Sequence, residues 1–244
     1  MLLIWWALSA SGTIDPLLLP TPLAVWRAFV DHLAGSEGLL VSAERSILRL
    51  AFGMAVGVIL GTLIGLSMAA STLVQRTLGS VMTALLALPA IAWITVAVLW
   101  LNHMTERAII SVVVIAAVPA VAVGTAAAVR LVPPILVRAG RTLGARGGEL
   151  YRNVILPAAV PGYISALRQA WVLSWRALIA GELVITGARG LGHLIGRASR
   201  QSETPLVLAT IAVMVVIGMA VDLLFSVLDR RIRVRRGLLA PSKA

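Results

Sequence analysis

Few side chains among the 244 residues could do covalent, metal or phosphate chemistry, and they are scattered. Cysteine is absent, which removes a thiol nucleophile, thiolate metal sites and disulfides, so redox chemistry says nothing about the compartment. A P-loop needs a lysine in GxxxxGK to reach the terminal phosphates, and the single lysine, Lys243, lies in no such motif. The histidines His32, His103 and His193 are far apart and lack the HExxH spacing of a helical zinc site, so they read as interfacial residues. No GxSxG elbow is present. Gly187, Gly190, Gly192 and Gly196 miss the GxGxxG spacing and follow no strand, so they read as a turn. A membrane enzyme would need a clustered nucleophile or metal set, and none is suggested by spacing.

The ionisable residues that do stand out lie inside apolar runs. Arg168, Trp175 and Glu182 are spaced by seven and fall within about 40° of one helical face, with Trp171 beside them. Ionisable groups within a membrane span face a bundle interior or a wet cavity, so this stripe is the candidate translocation face, with Glu182 its firmest member. Arg176 lies on another face, where it could attract an anion or pair with a carboxylate such as Asp222. Trp93 and Trp100 read either as packing or interfacial residues or as a surface on which a passing solute stacks.

The elements that must position these residues are membrane spans. The chain is 59% hydrophobic and 13% charged, with a mean hydropathy of +0.97, which excludes an ordinary soluble domain. A span needs about 20 apolar residues. The windows 50–75, 78–101 and 108–129 carry no charged side chain; 163–186 contains Arg168, Arg176 and Glu182; 205–228 contains only Asp222. Residues 1–11 would make a helix of about 16 Å, a short first span, and lack the basic region and cleavage site of a signal peptide. The stretch 13–44, rich in proline, reads as an extramembrane loop with an interfacial helix around 23–33. The expectation is an all-α bundle of five to six spans in a single domain over residues 1–244, with spans at 1–11, 46–70, 78–101, 108–129, 163–186 and 205–228.

A formal charge of +11 suggests nucleic acid only if it lies on one solvated surface, and here it punctuates apolar runs. Twelve basic residues fall on one side: Arg76, the loop arginines 130, 138, 141, 146 and 152, and Arg230, Arg231, Arg233, Arg235, Arg236 and Lys243 in the tail. Only Arg27, Arg189, Arg197 and Arg200 fall on the other. Both termini and the loop 130–161 are therefore predicted cytoplasmic. The basic tail, 229–244, reads as a topology determinant that attracts anionic lipid headgroups.

Two patterns remain. Gly53, Gly57, Gly61 and Gly65 recur every four residues and Ala69 continues the series, a small-residue stripe for close helix packing against the same chain or another. The loop contains Arg138-Ala139-Gly140-Arg141-Thr142-Leu143-Gly144-Ala145 and then Val154-Ile155-Leu156-Pro157. It is longer than a connection requires, and Ile135, Leu136, Leu143, Leu150, Tyr151 and Val154 supply an apolar face for a partner or the membrane surface.

This loop resembles the EAA signature of bacterial ABC-importer permeases: E-A-A, three residues, Gly, nine residues, I-x-L-P. Ala139, Gly144, Val154, Leu156 and Pro157 match it in spacing, while Arg138 replaces the glutamate and Gly140 the second alanine. The likeness continues through Leu19-Pro20-Thr21-Pro22 with Val25, the glycine-striped span, Leu88-Pro89-Ala90-Ile91-Ala92-Trp93, Gly181-Glu182-Leu183 and Gly190-Leu191-Gly192. Together they are similar to the permease subfamily for nitrate, sulfonate, taurine and related small solutes. The resemblance implies an inner-membrane permease of type I importer fold, usually a homodimer, with two separate ATP-binding subunits below and an extracytoplasmic solute-binding protein above. It implies no cofactor in this chain, with ATP and Mg in the partner ATPase, and no chemistry of its own. The ATPase-coupling residues it implies are Arg138, Ala139, Gly140, Leu143, Gly144, Ala145, Tyr151, Leu156 and Pro157, on a loop helix seated in a groove of the ATPase. Gly147-Gly148 is expected to weaken the end of that helix by about 1 kcal/mol per glycine. The alternative reading, a secondary transporter or channel working alone, predicts an internal repeat, and no clear repeat is present.

Overall fold

The computed structural model describes residues 2–10, 15, 18–35, 37–101, 105–185, 187 and 189–235. Ser11, His103, Thr186, Arg236 and Lys243 lie outside the described residues. Every regular element described is helical. In order they are α1 (Leu2–Ala10), α2 (Pro22–Asp31), α3 (Leu39–Ala70), α4 (Thr72–Ala87), α5 (Ala90–Leu101), α6 (Thr105–Arg130), α7 (Pro134–Thr142), α8 (Gly147–Leu150), a π-helical turn (Tyr151–Ile155), α9 (Leu156–Val184), α10 (Leu191–Arg200) and α11 (Thr204–Arg235).

Among the described residues, three helices are long and apolar enough to cross a membrane: Leu39–Ala70, Glu106–Arg130 and Thr204–Val234; α4 and α5 together qualify as a broken fourth. The window 78–101 reads as one helix, but the structure ends α4 at Ala87 and restarts at Ala90. Pro89 is the cause: it has no N–H to donate and it drives Leu88 into an extended conformation, φ −75° and ψ 132°. α3 begins at Leu39 instead of near residue 46, because Glu44 and Arg45 sit on the first turns of a helix that extends past the hydrocarbon-compatible run. α2 fulfils the expected helix before it, with Pro22 at its first turn and the Thr21 hydroxyl accepting the Ala24 N–H at 3.2 Å.

The chain divides into two compact units, 1–52 with 90–112 and 176–220, and 53–89 with 113–175 and 221–244. In the second unit, α6 is the packing centre. Gly53, Gly57, Gly61 and Gly65 are all buried on one face of α3. A Cβ on Gly61 would lie 2.7 Å from the Val118 carbonyl oxygen, and one on Gly65 2.6 Å from that of Ala122, while at Gly57 it would meet Ala117. The partner of the stripe is therefore α6 of the same chain. α6 and α9 approach just as closely, through Gly124 against Ala166 and Gly162 against Ala128. In the first unit, Leu39, Leu194, Ala198 and Leu206 form a core joining the start of α3 to α10 and α11.

Candidate functional site

α7 carries the centre of the loop motif. Leu143 ends the helix and Gly144 follows with φ +96°, a left-handed conformation in which a side chain is strained. The Gly144 N–H donates to the Arg141 carbonyl at 3.0 Å and the Ala145 N–H to the Gly140 carbonyl at 3.0 Å. These two bonds are those of a Schellman cap, so the motif glycine is there to reverse the chain after α7. Gly140 is buried beneath the helix, where a Cβ would lie 2.9 Å from Leu150 Cδ1 and from Val154 Cγ2. Ala145 packs partly buried on the cluster that holds Leu150 and Ile155. Ile135, Leu136 and Leu143 point outward, Leu143 at 87% exposure. Arg138, Ala139, Tyr151, Leu156 and Pro157 are also exposed. The motif ending, Val154 to Pro157, sits where the π turn passes into α9; the wider turn relieves the clash that a helical proline makes with the carbonyl four residues back. Gly147 and Gly148 do not weaken α7, which has already ended at Thr142; Gly147, φ +52°, starts α8 instead. α9 then runs on through Pro161, inside the stretch read as loop.

The first unit contains a buried charge network. Glu182 of α9 is 0% exposed and Arg49 of α3 5%. Arg49 Nη1 donates to Glu182 Oε1 at 2.6 Å, and its Nε and Nη2 donate to the two oxygens of Glu106 on α6 at 2.5 and 2.6 Å. The Ser46 hydroxyl donates to the Glu182 carboxylate, 2.9 and 2.8 Å from its two oxygens. Two amides complete the site: Leu191 N–H donates to Ser46 Oγ and Gly192 N–H to Glu182 Oε2, each at 3.0 Å. These amides are the first two of α10, so a buried carboxylate and hydroxyl cap a helix whose own preceding residue, Gly190, has no side chain to do so. Glycine is required at both positions. A Cβ at Gly190 would collide with the Glu182 carboxylate, and one at Gly192 would lie 2.5 Å from the Ile179 carbonyl oxygen. Of the glycine cluster read as a turn, Gly187 and Gly190 precede α10, whereas Gly192 and Gly196 lie inside it; Gly190 and Gly192 make room for Glu182.

Ser46, Arg49 and Glu106 were not singled out by sequence. The available signal was an arginine inside an apolar helix, which must find a buried partner. On the rest of the polar stripe, Arg168 pairs with Asp222 through Nε and Nη2, both at 2.7 Å, with the two side chains 46% and 49% exposed. Asp222 therefore takes Arg168 as its partner, and Arg176 is exposed. Trp171 and Trp175 stack, ring centroids 5.6 Å apart at 16°. Trp93 is half-buried and Trp100 is 83% exposed. Among the described residues no group of three or more His, Asp or Glu could hold a metal ion. The His32 ring nitrogen Nδ1 lies 3.0 Å from the Ala28 carbonyl oxygen, within its own helix end.

Residues 57–234 match the family described as binding-protein-dependent transport system inner membrane component. The chain is 30% identical over 237 residues to the taurine transport system permease protein TauC of Escherichia coli, covering 95% of this chain and 85% of that one. It is 28% identical to the bicarbonate transport system permease protein CmpB of Synechococcus elongatus, covering 94% and 84%. A chain of the inward-facing MetNI methionine ABC transporter superposes with a TM-score of 0.71 at 19% identity, over 80% of this chain and 96% of that one, and shares its fold. The motif spacing, the membrane-spanning helices and these matches agree: the chain belongs to the binding-protein-dependent transport system inner membrane components, as a multi-pass permease subunit of an ABC importer.

Proposed function

We propose that this chain forms the translocation pathway for a small anion or sulfonate-like solute and is driven by a separate ATPase through α7. The observation that carries the reading is α7 itself: a short helix closed by a glycine-dependent cap, held from below by Gly140 on Leu150 and Val154, and presenting Leu143 outward. That is the form a rigid knob needs to transmit movement from a groove in a partner. ATP and Mg belong to two copies of that ATPase, a solute-binding protein delivers the solute, and a second copy of this chain completes the pathway as a homodimer. The excess of arginine on one side favours cytoplasmic termini and a cytoplasmic α7. Trp93, Trp171, Trp175 and Arg176 line the path, while Glu182 acts from within the first unit by holding the turn before α10. The names of the relatives, taurine and bicarbonate among them, support a small anionic or zwitterionic solute.

The test is uptake into proteoliposomes containing this chain, its ATPase and its binding protein, with taurine, nitrate and bicarbonate as the probes. ATP-dependent uptake of one of them supports the reading. Flux driven by a solute gradient through this chain alone, indifferent to the ATPase, would replace it with a transporter or channel that works unaided.

A further inference from the structure

Three arginines line one cavity of about 350 Å³ in the second unit. Its wall holds Arg138 and Arg141 from α7, Arg130 from the end of α6 and Tyr151 from the π turn, over apolar residues including Val137 and Ile155. Arg130 donates Nη2 to the Met68 carbonyl at 2.9 Å. Among the described residues, neither the Arg138 nor the Arg141 guanidinium pairs with a carboxylate. Like charges around a low-dielectric wall focus a positive field on the space between them, and an anion there is the complement. Arginine forks match phosphate oxygens in particular, and a tyrosine hydroxyl adds a donor.

The location narrows the source. Ala69, also in the wall, is one residue from the end of the span Leu39–Ala70, and Arg130 ends the span Glu106–Arg130. The cavity thus lies at the adjoining ends of two helices apolar enough to cross a membrane, and basic pockets at the ends of spans hold anionic lipid. The apolar residues of α7 that suit a protein partner, Ile135 and Leu143, are exposed and do not line it.

We propose that this cavity binds a phosphate group, and that in the membrane it is the headgroup phosphate of an anionic lipid, gripped by Arg138, Arg141 and Arg130 beneath α7. Arg138, the residue that departs from the motif glutamate, then serves to tether α7 to the bilayer.

The experiment is native mass spectrometry of the full chain equilibrated with mixed micelles of phosphatidylglycerol and phosphatidylcholine, with and without excess inorganic phosphate. Arg138→Gln with Arg141→Gln should lower phosphatidylglycerol retention by about thirtyfold and leave phosphatidylcholine unchanged. Arg138→Lys, which keeps the charge and loses the fork, should retain an intermediate amount, and it decides the matter if the double variant does not fold. Displacement of the lipid by inorganic phosphate, itself retained, would keep the phosphate site and overturn the lipid assignment. Equal lipid retention in wild type and variants would overturn the proposal. None of these readings depends on ATP-driven transport.

Discussion

Glu182 caps a helix that starts nine residues after it: its Oε2 accepts the Gly192 N–H at 3.0 Å while the same carboxylate receives Ser46 and Arg49 from α3. The arrangement resolves two problems with one group. α10 begins with amides that have no partner of their own, and Arg49 is charged within an apolar helix. A fully buried carboxylate satisfies both, and its own desolvation is offset only because every donor is in place.

Removing one member should therefore cost more than removing the charge pair together. Arg49→Met leaves Glu182 buried without its cation and should destabilise the chain by about 3–5 kcal/mol. Arg49→Met combined with Glu182→Gln should recover a large part of that loss, since a glutamine still accepts from Ser46 and Gly192. Thermal unfolding in detergent measures both. A double variant no more stable than Arg49→Met would show that the charge balance is not what holds the site.

Ser46→Ala should cost about 1–3 kcal/mol, because the Leu191 N–H is left without an acceptor in a fully buried setting. Ser46→Thr keeps the hydroxyl and should recover part of the loss. The same unfolding assay, with hydrogen exchange at Leu191 as a local probe, separates loss of the cap from a global effect.

The glycines divide by what surrounds them. Gly61→Ala places a methyl group against the Val118 carbonyl and should destabilise the α3–α6 contact by about 1–3 kcal/mol. Gly148→Ala meets open space, and it should be neutral or stabilise by about 0.4–1 kcal/mol. Measured side by side, a larger loss at Gly148 than at Gly61 would contradict the packing described.

The Arg168 and Asp222 pair is half-exposed, so its direct coupling should be small, about 0–1 kcal/mol in a double-mutant cycle on stability. Its place on two long helices predicts a larger effect on transport. Arg168→Ala should reduce uptake in the reconstituted importer while the unfolding temperature barely moves; parallel losses in both would give the pair a structural role only.

Much of this was legible from residue types along the chain. Charge-free windows mark the apolar helices, the four-residue glycine period marks a close-packing face, and motif spacing marks Gly144, whose backbone is left-handed. Pairing was not legible. Arg49 finds Glu106 and Glu182 57 and 133 residues away, and no local spacing can encode that. The break at Pro89 was masked by hydrophobicity, because composition alone does not register a missing N–H. Gly147 and Gly148 were placed in the wrong helix because the Schellman cap that ends α7 depends on hydrogen bonds from Gly144 and Ala145, not on propensity.

The most direct test of the central claim is ATP turnover by this chain purified with its ATPase, before and after Gly144→Asp. The left-handed cap cannot hold an aspartate without strain, so α7 should lose its fixed seat, and ATP hydrolysis should become independent of solute-loaded binding protein or the ATPase should dissociate. A stable complex whose turnover responds to solute unchanged would contradict a coupling role for α7.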